Sequence, residues 1–341
     1  MLGRLRRIVT LGGGSAPSLV ARTFSDHLER ITAVVCTSDT GSSSGTCRRL
    51  FGMPAPGDVR ATLSAFATLS GGESWARVWE DRLQCPASRG FHGMAVGNLV
   101  IAALFQETGD FPSAIRRASA LLDIRGRVLP VTGDPADLRA ELADGTVVEG
   151  ELEVRRPGKP AIRRLSWASP VPRSAPGVLE AIREADLILL GPGCLYTSLL
   201  PCLLVKGVAE AIRKSKGVRV YLCNTTTTPG QTDGFTVARH VQLVVDALRG
   251  RGVDAVLLQG KEVVAEAREA YQNLGAVPLV PTDQDLETIV DLGARPFPAA
   301  VIEDPQSHPR KLHKLDTIRH DPERLRAALE RLLSDLDAAR A

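Results

Sequence analysis

The amino-acid sequence predicts an α/β protein: a doubly wound, mostly parallel sheet carrying a small antiparallel β insert. Three observations carry that expectation. Short β-branched apolar runs alternate with helix-length segments, the rhythm of strand–helix–strand units. Four of these runs end directly in loops of Gly, Ser, Thr and acid or amide residues. One stretch in the middle breaks the rhythm with alternating runs around a hairpin signal.

The elements follow in order. Arg7 to Leu11 is the first strand, and Gly12-Gly13-Gly14-Ser15 turns it into a helix starting near Ser15 or Pro17, since Pro suits a first helical turn. Ile31 to Thr37 is the second strand, followed by the loop Ser38 to Gly45 and a longer irregular stretch. Helices are expected over Arg60 to Leu69, Trp75 to Leu83, Gly97 to Thr108 and Pro112 to Leu122. Gly109 stops the third of these and Asp110 caps the fourth. The insert spans about 127–167. There Leu138 to Leu142 and Thr146 to Val154 alternate around Ala143-Asp144-Gly145, and Ile162 to Trp167 follows the turn Arg156 to Pro160. Covering the neighbouring loops and forming an oligomer contact are its two candidate roles.

From Gly177 the rhythm resumes. A helix to Ala185 leads to the strand Asp186 to Leu190, the loop Gly191 to Ser198, a helix Leu203 to Lys214 and the strand Val218 to Cys223. The loop Asn224 to Gly234 follows, then a helix Phe235 to Leu248, a strand Asp254 to Gln259, a helix from Glu262 and a strand Ala276 to Val280. A helix over 321–340 carries Leu325, Leu329, Leu332 and Leu336 at docking-stripe spacing. Residues 1–310 therefore read as one α/β ligand-binding domain and 311–341 as a C-terminal helical segment.

With 341 residues, 44% of them hydrophobic and 24% charged, the chain can bury a large core. A net charge of +3 argues against a nucleic-acid surface and against a membrane patch. The first residues run from basic side chains straight into a strand with no signal-type apolar segment, and no stretch reaches the roughly 20 apolar residues of a transmembrane helix. A cytoplasmic protein that self-associates is expected. Six cysteines at 36, 47, 85, 194, 202 and 223 form no C-x-x-C pair, and only Cys47 and Cys194 fall in loops where a thiol could react.

In an open parallel sheet the carboxyl ends of the strands share one edge, where ligands bind. Four Gly/Ser/Thr loops on that edge would make a crevice lined with backbone N–H groups and hydroxyls, a design for phosphate. The first loop offers Gly12, Gly13, Gly14 and Ser15, but Ala16 and Pro17 break the G-x-G-x-x-G pattern and no Gly-Lys-Ser/Thr follows. A dinucleotide oxidoreductase and a P-loop hydrolase are both disfavoured. The second offers Gly41, Ser42 and Ser43, with Asp39 at a strand end as a ribose or metal ligand. Arg48 and Arg60 are candidate phosphate clamps, and Asp58 adds a second acid. The third loop offers Gly191, Gly193, Tyr196, Thr197 and Ser198, and the fourth Asn224 and Asp233. His240 reads as a packed or capping residue, and His92 as a weak candidate base.

Together these runs resemble the CofD-like superfamily. GPGCLYTS and CNTTTTPGQTDGFTVARH are similar to its GPGSLYTS and CN-x-x-T-x-PGETDGYT-x-x-x-H runs. GGGS, SDTGSSSG, PGDVR and Gly97-Asn98-Leu99 match its first half, and IRGRVLPVT and DGTVVEGE its middle, so the resemblance covers about residues 7–245. The superfamily includes 2-phospho-L-lactate transferases and gluconeogenesis factors, and this chain is nearer the second branch. The resemblance implies a Rossmann-like sheet and a UDP-sugar or other nucleotide-diphosphate ligand. It also implies a regulatory role in cell-wall morphogenesis with a cell-wall enzyme as partner, and no required cofactor. In that reading Asp39 and Asn224 hold ribose or base, while Asp233 and Asn98 complete the pocket. The alternative is a Mg²⁺-dependent phosphoester transferase in which Asp39 and Asp58 are catalytic and hold the metal. Cys194 stands where the family has Ser; Met94 stands where it has His, and that second departure favours binding over catalysis.

Overall fold

A computed structural model of the chain describes residues 5–86, 90–168, 170–260, 275–303 and 319–339. The first half contains β1 (Ile8–Gly12), α1 (Ala16–Thr23), β2 (Ile31–Val35), α2 (Ser42–Phe51), α3 (Gly57–Leu69), α4 (Glu73–Glu80), α5 (Val96–Thr108) and α6 (Phe111–Leu121). Next come β3 (Arg127–Pro130), β4 (Leu138–Leu142), β5 (Val147–Glu149), α7 (Glu151–Arg155) and β6 (Ile162–Trp167). The rest is α8 (Val178–Glu184), β7 (Leu187–Leu190), α9 (Leu200–Leu204), α10 (Val208–Lys214), β8 (Val218–Leu222), α11 (Val237–Ala247) and β9 (Ala255–Gln259). It ends with α12 (Asp283–Asp291), β10 (Arg295–Ala299) and α13 (Pro322–Ala338).

Seven parallel strands lie in the order β10-β9-β8-β7-β1-β2-β3. The chain fills one side of β1 first and then returns to fill the other, so strand order reverses between β1 and β7, where ligands bind in such sheets. The five inner strands β1, β2, β7, β8 and β9 read as largely apolar runs because they are covered on both faces. Val9, Leu11, Ile188 and Leu190 enter one core, while Ile8, Leu187 and Leu189 enter the other. The second core also takes in the C-terminal helix: Leu325, Leu329, Leu332 and Leu333 of α13 are buried with Leu19 and Val20 of α1. Leu336, expected in that stripe, is only partly buried. Arg326 adds a two-pronged pair to Asp26 at 2.8 Å on each arm. Leu329→Ala should cost about 3 kcal/mol, the usual range for a fully buried leucine, and a urea melt reads it directly. No helix among the described residues is long and apolar enough to cross a membrane.

Several expectations change. The insert is smaller than 127–167, because Arg127–Pro130 joins the main sheet beside β2 and only β4, β5 and β6 form the antiparallel sheet. The run Thr146 to Val154 is not one strand. Gly150, at φ 88°, ends β5, and the charged stretch Glu151–Arg155 coils into α7, with Glu151 and Glu153 favourably near its N-terminus. Ser42 to Gly45 is the first turn of α2 rather than loop. The helix expected over Leu203 to Lys214 is broken: α9 ends at Leu204, and Gly207, at φ 88°, starts α10. Ala276 to Val280 forms no strand of the main sheet; it pairs with the fourth loop through Thr227 N–H to Val277 O and Leu279 N–H to Thr225 O, both 2.8 Å. β10 was not legible because Pro296 and Pro298 break a strand pattern, and an edge position tolerates both. The helix expected from Glu262 lies outside the described residues.

Candidate functional site

The four strand-end loops converge at the switch point, held together by backbone and side-chain hydrogen bonds. Loops one and three meet where Gly191 N–H donates to Leu11 O at 2.9 Å. A Cβ on Gly193 would stand 3.3 Å from Gly13 O. Loop two is tied to loop three by Ser38 Oγ, which donates to Thr197 O at 3.1 Å. Loop four is tied in by Asn224 Nδ2, donating to Gly193 O at 2.8 Å, and by Thr197 Oγ1, donating to Gln231 Oε1 at 3.4 Å.

Loop one leaves Gly14 and Ser15 exposed at the start of α1, and the Ser15 side chain caps nothing. A Cβ on Gly13 would fall 2.2 Å from Asp58 Oδ2, so that glycine is required for the close approach of a carboxylate. Burial raises the Asp58 carboxyl to about 6, and the charge on Asp39 adds to the rise, while the Gly14 N–H opposes it. One amide of loop one is thus already engaged by an internal anion. On loop two, Asp39 Oδ1 accepts from Gly41 N–H at 2.8 Å. Asp39 Oδ2 lies 3.0 Å from where a Gly57 Cβ would be, beside Ser44 Oγ. Ser42 sits at φ 45°, a left-handed conformation uncommon outside glycine, immediately beside this group.

Other expected residues serve the scaffold. Ser43 Oγ accepts from Asn98 Nδ2 at 2.9 Å and from Ala95 N–H at 3.1 Å, locking α2 to α5. Asn98 Oδ1 remains buried without a partner among the described residues. Arg48 pairs with Asp137 at 2.8 Å and donates to Ala136 O, and Arg60 pairs with Glu80. Both clamps are therefore committed to structural pairs. Tyr196 is buried in the core, edge-on to Phe235 at 6.3 Å, with its hydroxyl 3.5 Å from Ile162 O; burial pushes the phenol up to about 12. Thr197 and Ser198 are also buried, inside a π-helical turn Leu195–Leu199. Such turns are frequent at functional sites. Asp233 is exposed and accepts from Gly230 N–H at 2.7 Å, a bond that shapes loop four. His240 Nδ1 donates to Thr236 O at 2.9 Å as a buried helix residue, and His92 Nδ1 sits 2.7 Å from Cys85 O. Burial raises the Cys47 thiol to about 11 and also raises Cys194, so neither is primed to react.

What the sequence reading missed comes from the insert. α7 packs against loop two, where Leu152 N–H donates to Thr40 Oγ1 at 3.2 Å. It also packs against the π-helical turn of loop three, and a Cβ on Gly230 of loop four would come within 2.6 Å of Arg155 O. Lys159 caps Gly230 O. Glu151 is buried, and that burial raises its carboxyl, with Asp39 adding to the rise and Arg155 opposing it. Asp39, Asp58 and Glu151 thus form a group of mutually repelling acids. The Glu151–Arg155 spacing of four is a helix signal that could have revealed α7; nothing local could have located it over the crevice.

Residues 8–302 match the family model described as 2-phospho-L-lactate transferase CofD. The chain belongs to the CofD family. It is 33% identical over 336 residues to the gluconeogenesis factor of Bacillus subtilis, covering 98% of this chain and 100% of that one. It is 36% identical over 284 residues to the gluconeogenesis factor of Halalkalibacterium halodurans, covering 83% and 87%. The crystal structure of protein BH3568 from Bacillus halodurans superposes with a TM-score of 0.86 at 33% identity, over 96% of this chain and 100% of that chain. Within the CofD family the chain therefore lies on the gluconeogenesis-factor branch, with the family's Rossmann-like sheet.

Proposed function

We propose that the crevice binds a UDP-sugar, and that the protein acts in the cytoplasm as a regulator of cell-wall morphogenesis during gluconeogenic growth. The observation that carries this reading is the convergence of four amide- and hydroxyl-rich loops on the switch point of a parallel sheet. Loops one and three cradle the diphosphate through backbone N–H groups at the start of α1. Asp39 and Asn224 hold ribose or base. The names of the relatives support the regulatory half, and so does the buried Met94 standing where the family motif has His. A second copy of the chain and a cell-wall enzyme are its partners in this reading.

The carboxylate pair favours a second reading, Mg²⁺-dependent phosphoester transfer. Among the described residues no group of three His, Cys, Asp or Glu side chains is arranged to hold a metal ion. Asp39 and Asp58 would therefore hold Mg²⁺ together with ligand phosphate oxygens and water, a mode usual for this ion. Its chemistry there would be to neutralise diphosphate charge.

Prolonged incubation of pure protein with UDP-sugars or a phospholactyl donor, with and without Mg²⁺, separates the two by mass spectrometry. Survival of both compounds supports the regulator, and catalytic turnover overturns it. Bound ligand at about 100 times its Kd adds about 2.7 kcal/mol of stability, a readable thermal shift. Asp39→Ala should abolish UDP-sugar binding by calorimetry while the melting temperature stays near that of the parent. Unchanged affinity in the folded variant would sink the assignment of Asp39.

A further inference from the structure

The insert lies over the crevice, yet neither the fold nor the loop chemistry accounts for the charges it brings there. α7 touches three of the four loops: Thr40 and Gly41 of loop two, the 195–199 turn of loop three, and Gly230 of loop four. It carries two ionisable side chains on the same helical face, Glu151 and Arg155. Arg155 Nη1 donates to Glu151 Oε1 at 3.1 Å, which uses one of its five N–H donors and fixes its direction. No second protein hydrogen bond to the guanidinium occurs among the described residues, and its side chain is 39% exposed. Its charge reaches Cys194 in loop three, where it favours the thiolate. The other cations expected at the crevice, Arg48 and Arg60, pair with Asp137 and Glu80 and are far less exposed than Arg155.

Glu151 presents the opposite situation. The residue is only 5% exposed, and its Oε2 is buried with no donor in hydrogen-bond geometry among the described residues, although the nearby Thr40 N–H favours the carboxylate. A buried carboxylate oxygen left without a donor forfeits the solvation it would have in water. Its twin oxygen is held by Arg155, so the side chain cannot turn the free oxygen toward that partner without losing the first bond. The acids Asp39 and Asp58 facing it supply no positive charge of their own.

We propose that α7 completes the binding site as a ligand-reading element. Arg155 pairs with a phosphate of the bound nucleotide diphosphate, and Glu151 Oε2 accepts a hydrogen bond from the group attached beyond it. This rests on the nucleotide-diphosphate reading above and assigns it two residues from outside the four loops. Guanidinium–phosphate pairing is strong, directional and compatible with retaining the Glu151 contact. A sugar hydroxyl or amide N–H is the donor that Oε2 lacks. The acid thus distinguishes a nucleotide-sugar from the bare diphosphate, while the arginine distinguishes diphosphate from monophosphate.

Calorimetry on the full chain tests it with three probes: UMP (read by displacement of UDP), UDP, and a panel of UDP-sugars that includes UDP-glucose and UDP-N-acetylglucosamine. Arg155→Ala should weaken UDP and UDP-sugar at least about tenfold while changing UMP by less than about threefold. Arg155→Lys, which keeps the charge but loses the fork, should recover only part of the loss. Glu151→Gln keeps the side-chain volume and removes a repelling charge, so it should fold. It should weaken UDP-sugar about tenfold and leave UDP within about threefold. Either variant binding UDP-sugar as tightly as the parent overturns the proposal, as does equal weakening of all three probes. Failure of the parent to bind any probe removes the UDP-sugar reading itself, and this assignment with it. Parent-like binding in the variants removes the α7 assignment alone.

Discussion

Asp58→Asn should make the protein more stable at neutral pH, by about 2 kcal/mol, although it removes a charged residue from the centre of the candidate site. Burial and the neighbouring Asp39 raise this carboxyl from 3.8 to about 6. A rise of two units corresponds to about 3 kcal/mol, and solvent reaching the partly exposed residue brings the expectation to about 2 kcal/mol. The sign follows from proton linkage. Between pH 4 and 6 the folded protein holds a proton on Asp58 that the unfolded chain has released, so the parent loses stability as pH rises through that window. Below pH 4 both states are protonated and the parent regains it. The asparagine keeps an oxygen to accept the Gly14 N–H and has no such pH dependence. Parallel melts should show the variant higher by roughly 3 °C at pH 7.5, with the gap closed at pH 4. A gap that persists unchanged at pH 4, or a variant less stable at pH 7.5, would contradict the carboxylate cluster. A residue whose charge costs stability is characteristic of a site kept for function.

Gly45→Ala should be the more damaging substitution, costing about 3 kcal/mol, toward the upper end for overpacking a tight site. The glycine lies in the first turns of α2, and its Cβ would stand 2.0 Å from the backbone oxygen of Thr40. No flexible side chain can move aside, since the obstacle is the main chain leading out of β2. The helix must shift away from loop two, disturbing the Ser38 contact to Thr197 O and the Asp39 contact to Gly41 N–H. Urea unfolding gives the stability loss, and calorimetry should give weaker UDP-sugar binding in whatever fraction folds. Gly52→Ala on the same helix is a control for spatial crowding: it sits at φ 65° with open space around it, so only the backbone conformation resists. Its cost should stay near 1 kcal/mol.

The same glycine separates two kinds of information. Read as sequence, SDTGSSSG is a phosphate loop in which Gly41 is a ligand-binding residue. In the structure Gly41 caps α2, Gly45 lets the helix pass a carbonyl, and the residue crowding the first loop is Asp58 beyond it. Residue type was legible, but the reason for it was not, because the reason is a neighbour distant in the chain. Arg48 and Arg60 repeat the lesson: a guanidinium near a glycine loop suggests phosphate, yet Asp137 and Glu80 were nearer in space.

The sequence by itself determined the parallel sheet, its four loop-bearing strand ends and the family. Unbroken β-branched runs are stable only when covered on both faces, and motifs as specific as GPGCLYTS and PGQTDG survive without knowledge of contacts. Tertiary structure alone decided what the crevice is made of. Contacts such as Asn224 Nδ2 with the Gly193 carbonyl, and Glu151 facing Asp39 and Asp58, join residues from about 30 to more than 110 positions apart. Their approach depends on how the insert folds back, which no local pattern encodes. The edge strand Arg295–Ala299 formed against its own propensity for the same reason: a neighbour, β9, offered its hydrogen bonds on the one side where prolines do no harm.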